Sequence, residues 1–131
     1  MIRFIHEKHK EEFWKMHEKL QNIVMDIAVF VEEKFGKNII PTSIYRPYKG
    51  DKHSVHNVWR GFDFRSRIFT KEEIDEIVKY VNNKYIYDPL RPHYKVAIYH
   101  NVGKGWHFHI QVHPRTERRK NNGRQRNIKF T

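Results

Sequence analysis

Gly105-Trp106-His107-Phe108-His109-Ile110-Gln111-Val112-His113 is the stretch from which the fold can be read. Trp106, Phe108, Ile110 and Val112 alternate with polar positions, and three of those are the imidazoles His107, His109 and His113. A period of two is that of a β-strand with one face packed and the other free. The apolar face belongs to a core, which leaves the imidazole face lining a cleft. Lys95 to His100 has strand composition too, and Asn101-Val102-Gly103-Lys104-Gly105 between the two segments is rich in turn residues, so a hairpin is expected.

Working outward, Gly61 to Arg65 is a second short strand, with Phe62 and Phe64 around Asp63, and Ile39 to Tyr45 a third. From Glu7 to Phe35 the apolar residues Phe13, Met16, Leu20, Ile23, Val24, Ile27 and Val31 recur at spacings of three and four. That spacing predicts one long amphipathic helix, stopped by Gly36. Thr70 and Glu73 form a capping box for another helix, which carries Ile74, Ile77, Val78 and Val81 on one face and ends near Asn83. Asp88-Pro89-Leu90-Arg91-Pro92 is a turn-rich connection. The reading is a small single α+β domain over residues 1–114, with a central, mostly antiparallel sheet, a long N-terminal helix and one further helix. Residues 115–131 continue as a basic tail, expected to be mobile unless it packs or binds something.

Length and composition agree. The 131 residues suit one domain, and 38% hydrophobic with 15% aromatic residues is enough for a core. No apolar run reaches the roughly 20 residues of a membrane span. The first residues lack the pattern of a secretory signal, so cytoplasmic synthesis is expected, with any extracytoplasmic target reached by another route such as lysis or a membrane pore. A monomer is expected. The net charge of +11 favours polyanions, whether nucleic acid, anionic wall polymer or a membrane surface. Cysteine is absent, so a metal here must be held by imidazole and carboxylate, and the chain has 10 histidines.

The chemistry gathers in two segments. One is the histidine strand; the other is Ser54-Val55-His56-Asn57-Val58-Trp59-Arg60-Gly61-Phe62-Asp63. Zinc accepts neutral imidazole and carboxylate at about 2 Å, and catalytic sites use three protein ligands with a position left open. His56, Asp63 and one or two strand histidines meet that count.

Together with Ser43-Ile44-Tyr45-Arg46-Pro47, these segments resemble the zinc D-alanyl-D-alanine carboxypeptidases, their dipeptidase relatives and phage endolysin peptidases. That group carries Ser-x-Tyr-Arg-Pro, then Ser-x-His, then Gly-x-Asp or Gly-x-x-Asp, then a late His-x-His or Trp-His. The likeness spans roughly Pro41 to His113. It implies a small α+β fold, a Zn2+ cofactor and hydrolysis of peptide bonds in peptidoglycan peptides. His56 and Asp63 are the implied ligands, with His109 the third. Trp106-His107 also fits the Trp-His register, so His107 is the competing third ligand. Arg46 is implied beside the metal, stabilising the charge that develops on the attacked carbonyl oxygen or holding a substrate carboxylate.

One feature departs from the group, whose members usually place a glutamate base a few residues before the last ligand. No carboxylate occurs between Asp88 and Glu117. His107 is the expected substitute, since imidazole titrates in a useful range, and Asp51 is the other candidate. Ser54 is expected to support the His56 loop or touch substrate. Trp59 and Arg60 either line the cleft or, for Trp59, pack beneath the loop. Gly61 is expected where backbone approaches closely, His113 as a partner of the site or a surface residue, and His53 and His100 as neighbours outside the ligand set.

Two readings come from other classes. Trp106-His107-Phe108-His109-Ile110 also fits the His-hydrophobe-His nucleases, although their tyrosine follows the motif and the last tyrosine here is Tyr99. A non-catalytic basic module, with or without zinc, would instead use the tail from Arg115 on RNA or wall polymer.

Overall fold

The histidine strand lies inside the sheet. In the computed structural model, which describes residues 1–48, 54–103 and 105–120, the elements follow in order. They are α1 (Glu7–Phe13), α2 (Glu18–Phe35), β1 (Pro41–Ser43), a 3₁₀ turn (Val55–Val58), β2 (Gly61–Arg65), α3 (Lys71–Lys84), β3 (Tyr85–Ile86), β4 (Ala97–Asn101), β5 (Trp106–Gln111) and β6 (Glu117–Arg118). Four strands form an antiparallel sheet in the order β1-β2-β5-β4, while β3 and β6 pair separately. The α+β class and the β4–β5 hairpin are as the sequence predicts.

Strand alternation sorts the sheet into two faces. Phe62, Phe64, Phe108 and Ile110 are fully buried with Leu20, Ile27, Val31 and Ile77, which places α2 and α3 against that side. Phe64 and Phe108 stack across the strand pair with ring centroids 4.4 Å apart. On the other face, register brings polar residues into rows: Asp63 pairs with His109, and Arg65 with His107, which in turn opposes His100. Trp106 departs from the core face: at the start of β5 it is exposed and stacks on Tyr99. Asn82 of α3 pins β4 by bonding both N–H and C=O of Ala97.

The single N-terminal helix is corrected to two. Between α1 and α2 the chain opens at Trp14–His17, and the His17 side chain caps α2 by accepting from Lys19 N–H. The His17 N–H, freed from helical bonding, donates to Trp59 O at 2.9 Å. The apolar spacing runs unbroken across the gap because both helices bury the same side, so periodicity alone cannot see the break. Gly36 ends α2 in the left-handed region at φ 66°, and the Thr70–Glu73 capping box opens α3.

The first residues of the basic tail pack. Arg115 donates two bonds to Asp88, Thr116 is buried and donates to Tyr87 O, and β6 pairs with β3. Packing thus continues past residue 114, and residues 121–131 lie outside the described residues. No helix among the described residues is long and apolar enough to cross a membrane.

Candidate metal centre

Three elements supply the centre. Asp63 stands at the middle of β2, His109 faces it from β5, and His56 enters from the 3₁₀ turn lying over the sheet. All three are buried, His56 completely. Their ligand atoms lie within 4.8 Å of one another, so the group can hold a metal ion. Of the two third ligands open in the sequence, the cluster contains His109 and not His107.

The protons around these groups explain why a cation suits them. His56 Nδ1 lies 2.7 Å from Ile44 O. A carbonyl only accepts, so Nδ1 carries a hydrogen, and in the neutral ring Nε2 is the lone pair open to a cation. That buried Nε2 has no hydrogen-bond partner among the described residues, and it points at Asp63 Oδ1 from 3.3 Å. His109 Nε2 lies 3.0 Å from Gln111 Oε1, and Gln111 Nε2 donates to Lys95 O, which fixes the amide orientation. His109 Nε2 therefore donates to Gln111, and its Nδ1 faces Asp63 Oδ1 at 2.7 Å. Both rings are held from outside by acceptors, so two nitrogens converge on one carboxylate. Such outer hydrogen bonds select the tautomer and orientation of metal-binding histidines.

Distances fit as well. Ligands about 2.0–2.1 Å from a tetrahedral zinc stand about 3.3–3.4 Å apart. The His56–Asp63 separation of 3.3 Å matches, and the His109–Asp63 separation of 2.7 Å, a hydrogen-bond length, needs only a small opening. Burial by itself raises the Asp63 carboxyl, but without a cation the His109 and His56 rings in their charged form donate hydrogen bonds to it, which outweighs burial and holds it well below the usual range. Asp63 is thus a carboxylate.

Local sequence builds this arrangement. Ser54 caps the 3₁₀ turn by accepting from His56 N–H, and Asn57 reciprocates by accepting from Ser54 N–H. Asn57 Nδ2 also donates to Arg46 O, and Arg46 N–H donates to His56 O, which ties the Arg46 segment to the ligand turn. Gly61 is where the turn lies on the sheet: a Cβ there would stand 2.6 Å from Val55 Cγ2 and 3.1 Å from the His56 ring. The expected close approach is present.

Compared with known proteins, the chain matches no family model, no curated protein and no solved structure.

Around the centre, His107 Nε2 is 3.5 Å from Asp63 Oδ2 and Arg46 Nη1 is 3.9 Å from the same oxygen. His107 Nδ1 faces Gly105 O at 3.2 Å, so Nδ1 carries a hydrogen, and in the neutral ring Nε2 is the acceptor on the cleft side. A groove of about 670 Å³ passes Arg46, Asp63 and His107, and a recess of about 330 Å³ continues past His100, His109 and Gln111. Asp63 is the only carboxylate among the described residues lining either space. Asp51, His53 and Lys104 lie outside the described residues.

The remaining candidates fall in different places. Ser54 lines the recess as well as capping the turn. Trp59, expected on the cleft or beneath the loop, stacks on Tyr45 at 4.3 Å and lines neither space. Arg60 likewise stays off both; its carbonyl accepts from Val112 N–H. His113 lies beyond β5 and caps a turn by accepting from Arg115 N–H, away from the ligands. Two contributors, Gln111 and Asn57, went unassigned in the sequence, and His100 was expected only as a neighbour. Gln111 stands two residues from His109 on the same face, a position the strand period could have flagged. Asn57 adjoins a ligand. His100 opposes His107, its ring 4.9 Å away, and burial with the nearby His109 and His107 pushes its pKa down.

Proposed function

We propose that this protein is a zinc-dependent peptidase acting on peptide bonds of bacterial peptidoglycan. The observation that carries the reading is the convergence of His56 Nε2 and His109 Nδ1, each with its opposite nitrogen committed to an acceptor, on the Asp63 carboxylate. Two imidazoles and one carboxylate form a donor set suited to zinc, with coordination left over for water or substrate. The likeness of the Ser43–Pro47, Ser54–Asp63 and His107–His109 segments to the wall peptidases supplies the substrate class.

When bound, zinc would supply Lewis acidity, polarising the scissile carbonyl and acidifying the attacking water. The chain's own residues do the rest. His107 Nε2, on the open side of Asp63, takes the proton of the attacking water and returns it to the leaving amine. Arg46, half-exposed beside Asp63, presents N–H donors to the oxygen on which negative charge develops. Gln111 and Ile44 hold the ligand rings, and the groove takes the peptide.

The position of His107 Nε2, beside Asp63 and lining the groove, supports it as the base in place of the missing glutamate. Tyr99 precedes the His-x-His segment and stacks on Trp106, which favours hydrolysis by water over a tyrosine-dependent nuclease reaction. Digestion of muropeptides from several wall types, followed by mass spectrometry, tests the proposal. New products with zinc-loaded protein, lost with a chelator and restored by zinc, are expected; unchanged profiles from every wall type contradict it.

A further inference from the structure

We propose that the groove beside the metal centre is a binding site for the carboxylate of an acidic peptide, with Arg65 and Arg67 as its specificity residues. The peptide part rests on the hydrolase reading above; the anion part rests on the groove alone.

Arg46, Arg65 and Arg67 all line the 670 Å³ groove, and Asp63, the one carboxylate among the described residues lining it, is buried among imidazoles. Arg65 is half-buried at the end of β2, two residues from Asp63 on the same face and opposite His107. No described carboxylate lies within ion-pair distance of Arg65 or Arg67. Half-buried Arg91 and exposed Arg115 both hold Asp88. Half-buried Arg60 and Arg65 have no ion pair among the described residues, and of these two Arg65 lines the cavity. An unpaired guanidinium fork at a partly desolvated wall suits a bidentate carboxylate. Phe69, Ile74 and Trp106 give that space an apolar side, which weakens competition from water.

Size and spacing favour a peptide over a nucleic acid. The volume falls in the range of about 300–1,000 Å³ typical of small-ligand sites, whereas single-stranded nucleic acid is held along an extended basic track. Residues two apart on a strand are about 6.7 Å apart, and an extended peptide advances about 3.4 Å per residue. With its scissile carbonyl at Asp63, a bound peptide would bring an acidic group roughly two residues away to Arg65.

The test is an NMR titration of the isotope-labelled full chain, following the Trp106 indole N–H. The ligands are Ac-Ala-Ala-Glu and its uncharged counterpart Ac-Ala-Ala-Gln-NH2, each added with chelator present and then with zinc. The acidic peptide should bind about tenfold or more tighter under both conditions. Arg65→Gln with Arg67→Gln should abolish that preference without changing zinc stoichiometry or thermal midpoint, and Arg65→Lys should keep part of it. Equal affinities, no binding of either peptide, or an unchanged preference in the double variant overturns the proposal. Tighter, Arg65-dependent binding of a short single-stranded oligonucleotide overturns it too, in favour of nucleic acid. A charge preference that persists in a protein unable to bind zinc sinks the peptidase reading and leaves the anion site standing; zinc-dependent hydrolysis without the preference does the reverse.

Discussion

Gly61→Ala removes no ligand, yet it should weaken the metal centre. Gly61 sits in β2 with ordinary strand pairing to Gln111, so alanine suits its backbone and the effect is steric. The added methyl would stand 2.6 Å from Val55 Cγ2 and 3.1 and 3.2 Å from two carbons of the His56 ring. Ordinary contacts begin near 3.4 Å, so the Val55 methyl must retreat by most of an ångström and the ring by a few tenths. The His56 ring is fully buried and anchored at 2.7 Å to Ile44 O, so it cannot retreat without loosening that bond. Overpacking of this kind costs about 1–3 kcal/mol. Disturbing the orientation of a ligand ring costs about 10–100-fold in metal affinity. Urea unfolding of the metal-free protein reads the first quantity and chelator competition the second. Val55→Ala added to Gly61→Ala should relieve the closest contact and recover much of the stability while leaving affinity reduced, because the ring contact remains. Wild-type zinc affinity in Gly61→Ala would refute the idea that the turn is pressed onto the sheet at His56.

Gln111→Met removes the acceptor that fixes the His109 tautomer and should lower zinc affinity about tenfold or more by chelator competition, whereas Gln111→Glu, which keeps an acceptor, should retain binding. His107→Gln should leave zinc content unchanged and cut peptide hydrolysis about 100-fold or more, measured by product formation at saturating substrate. Asp88→Asn should make stability less dependent on pH. The Arg115 and Arg91 partners depress the Asp88 carboxyl below its unfolded value of 3.8, so its stabilisation is present above that pH and lost as pH falls towards the folded value. Urea midpoints should therefore differ most between wild type and Asp88→Asn at pH 7, and the difference should shrink progressively as pH falls below 3.8 towards the strongly acid folded value; a difference that does not shrink would exclude the linkage.

Much of this architecture was legible because sheet alternation is a local signal. Phe62 and Phe64 around Asp63, and Phe108 and Ile110 around His109, announce which face is buried, and the register follows once β2 and β5 pair. Gly61 was legible as a close approach because glycine beside a strand in a ligand segment has few other uses. The break at Trp14–His17 was not legible: it depends on a long-range bond from His17 to Trp59. Nor was the packing of Arg115, whose partner Asp88 is 27 residues away. At the site, the ligand types were visible in sequence, but the choice of His109 over His107 required the position of Asp63 across the sheet. Gln111 acquires its role only when Lys95 fixes its amide, a contact no spacing rule supplies.

The central claim is best tested by metal analysis after equilibration with zinc and removal of excess, on wild type, His56→Ala, Asp63→Asn, His109→Ala and His107→Ala. One zinc per chain is expected in wild type and His107→Ala, and none in the other three. A metal-free wild type, or zinc kept by Asp63→Asn or by both histidine variants His56→Ala and His109→Ala, would contradict it.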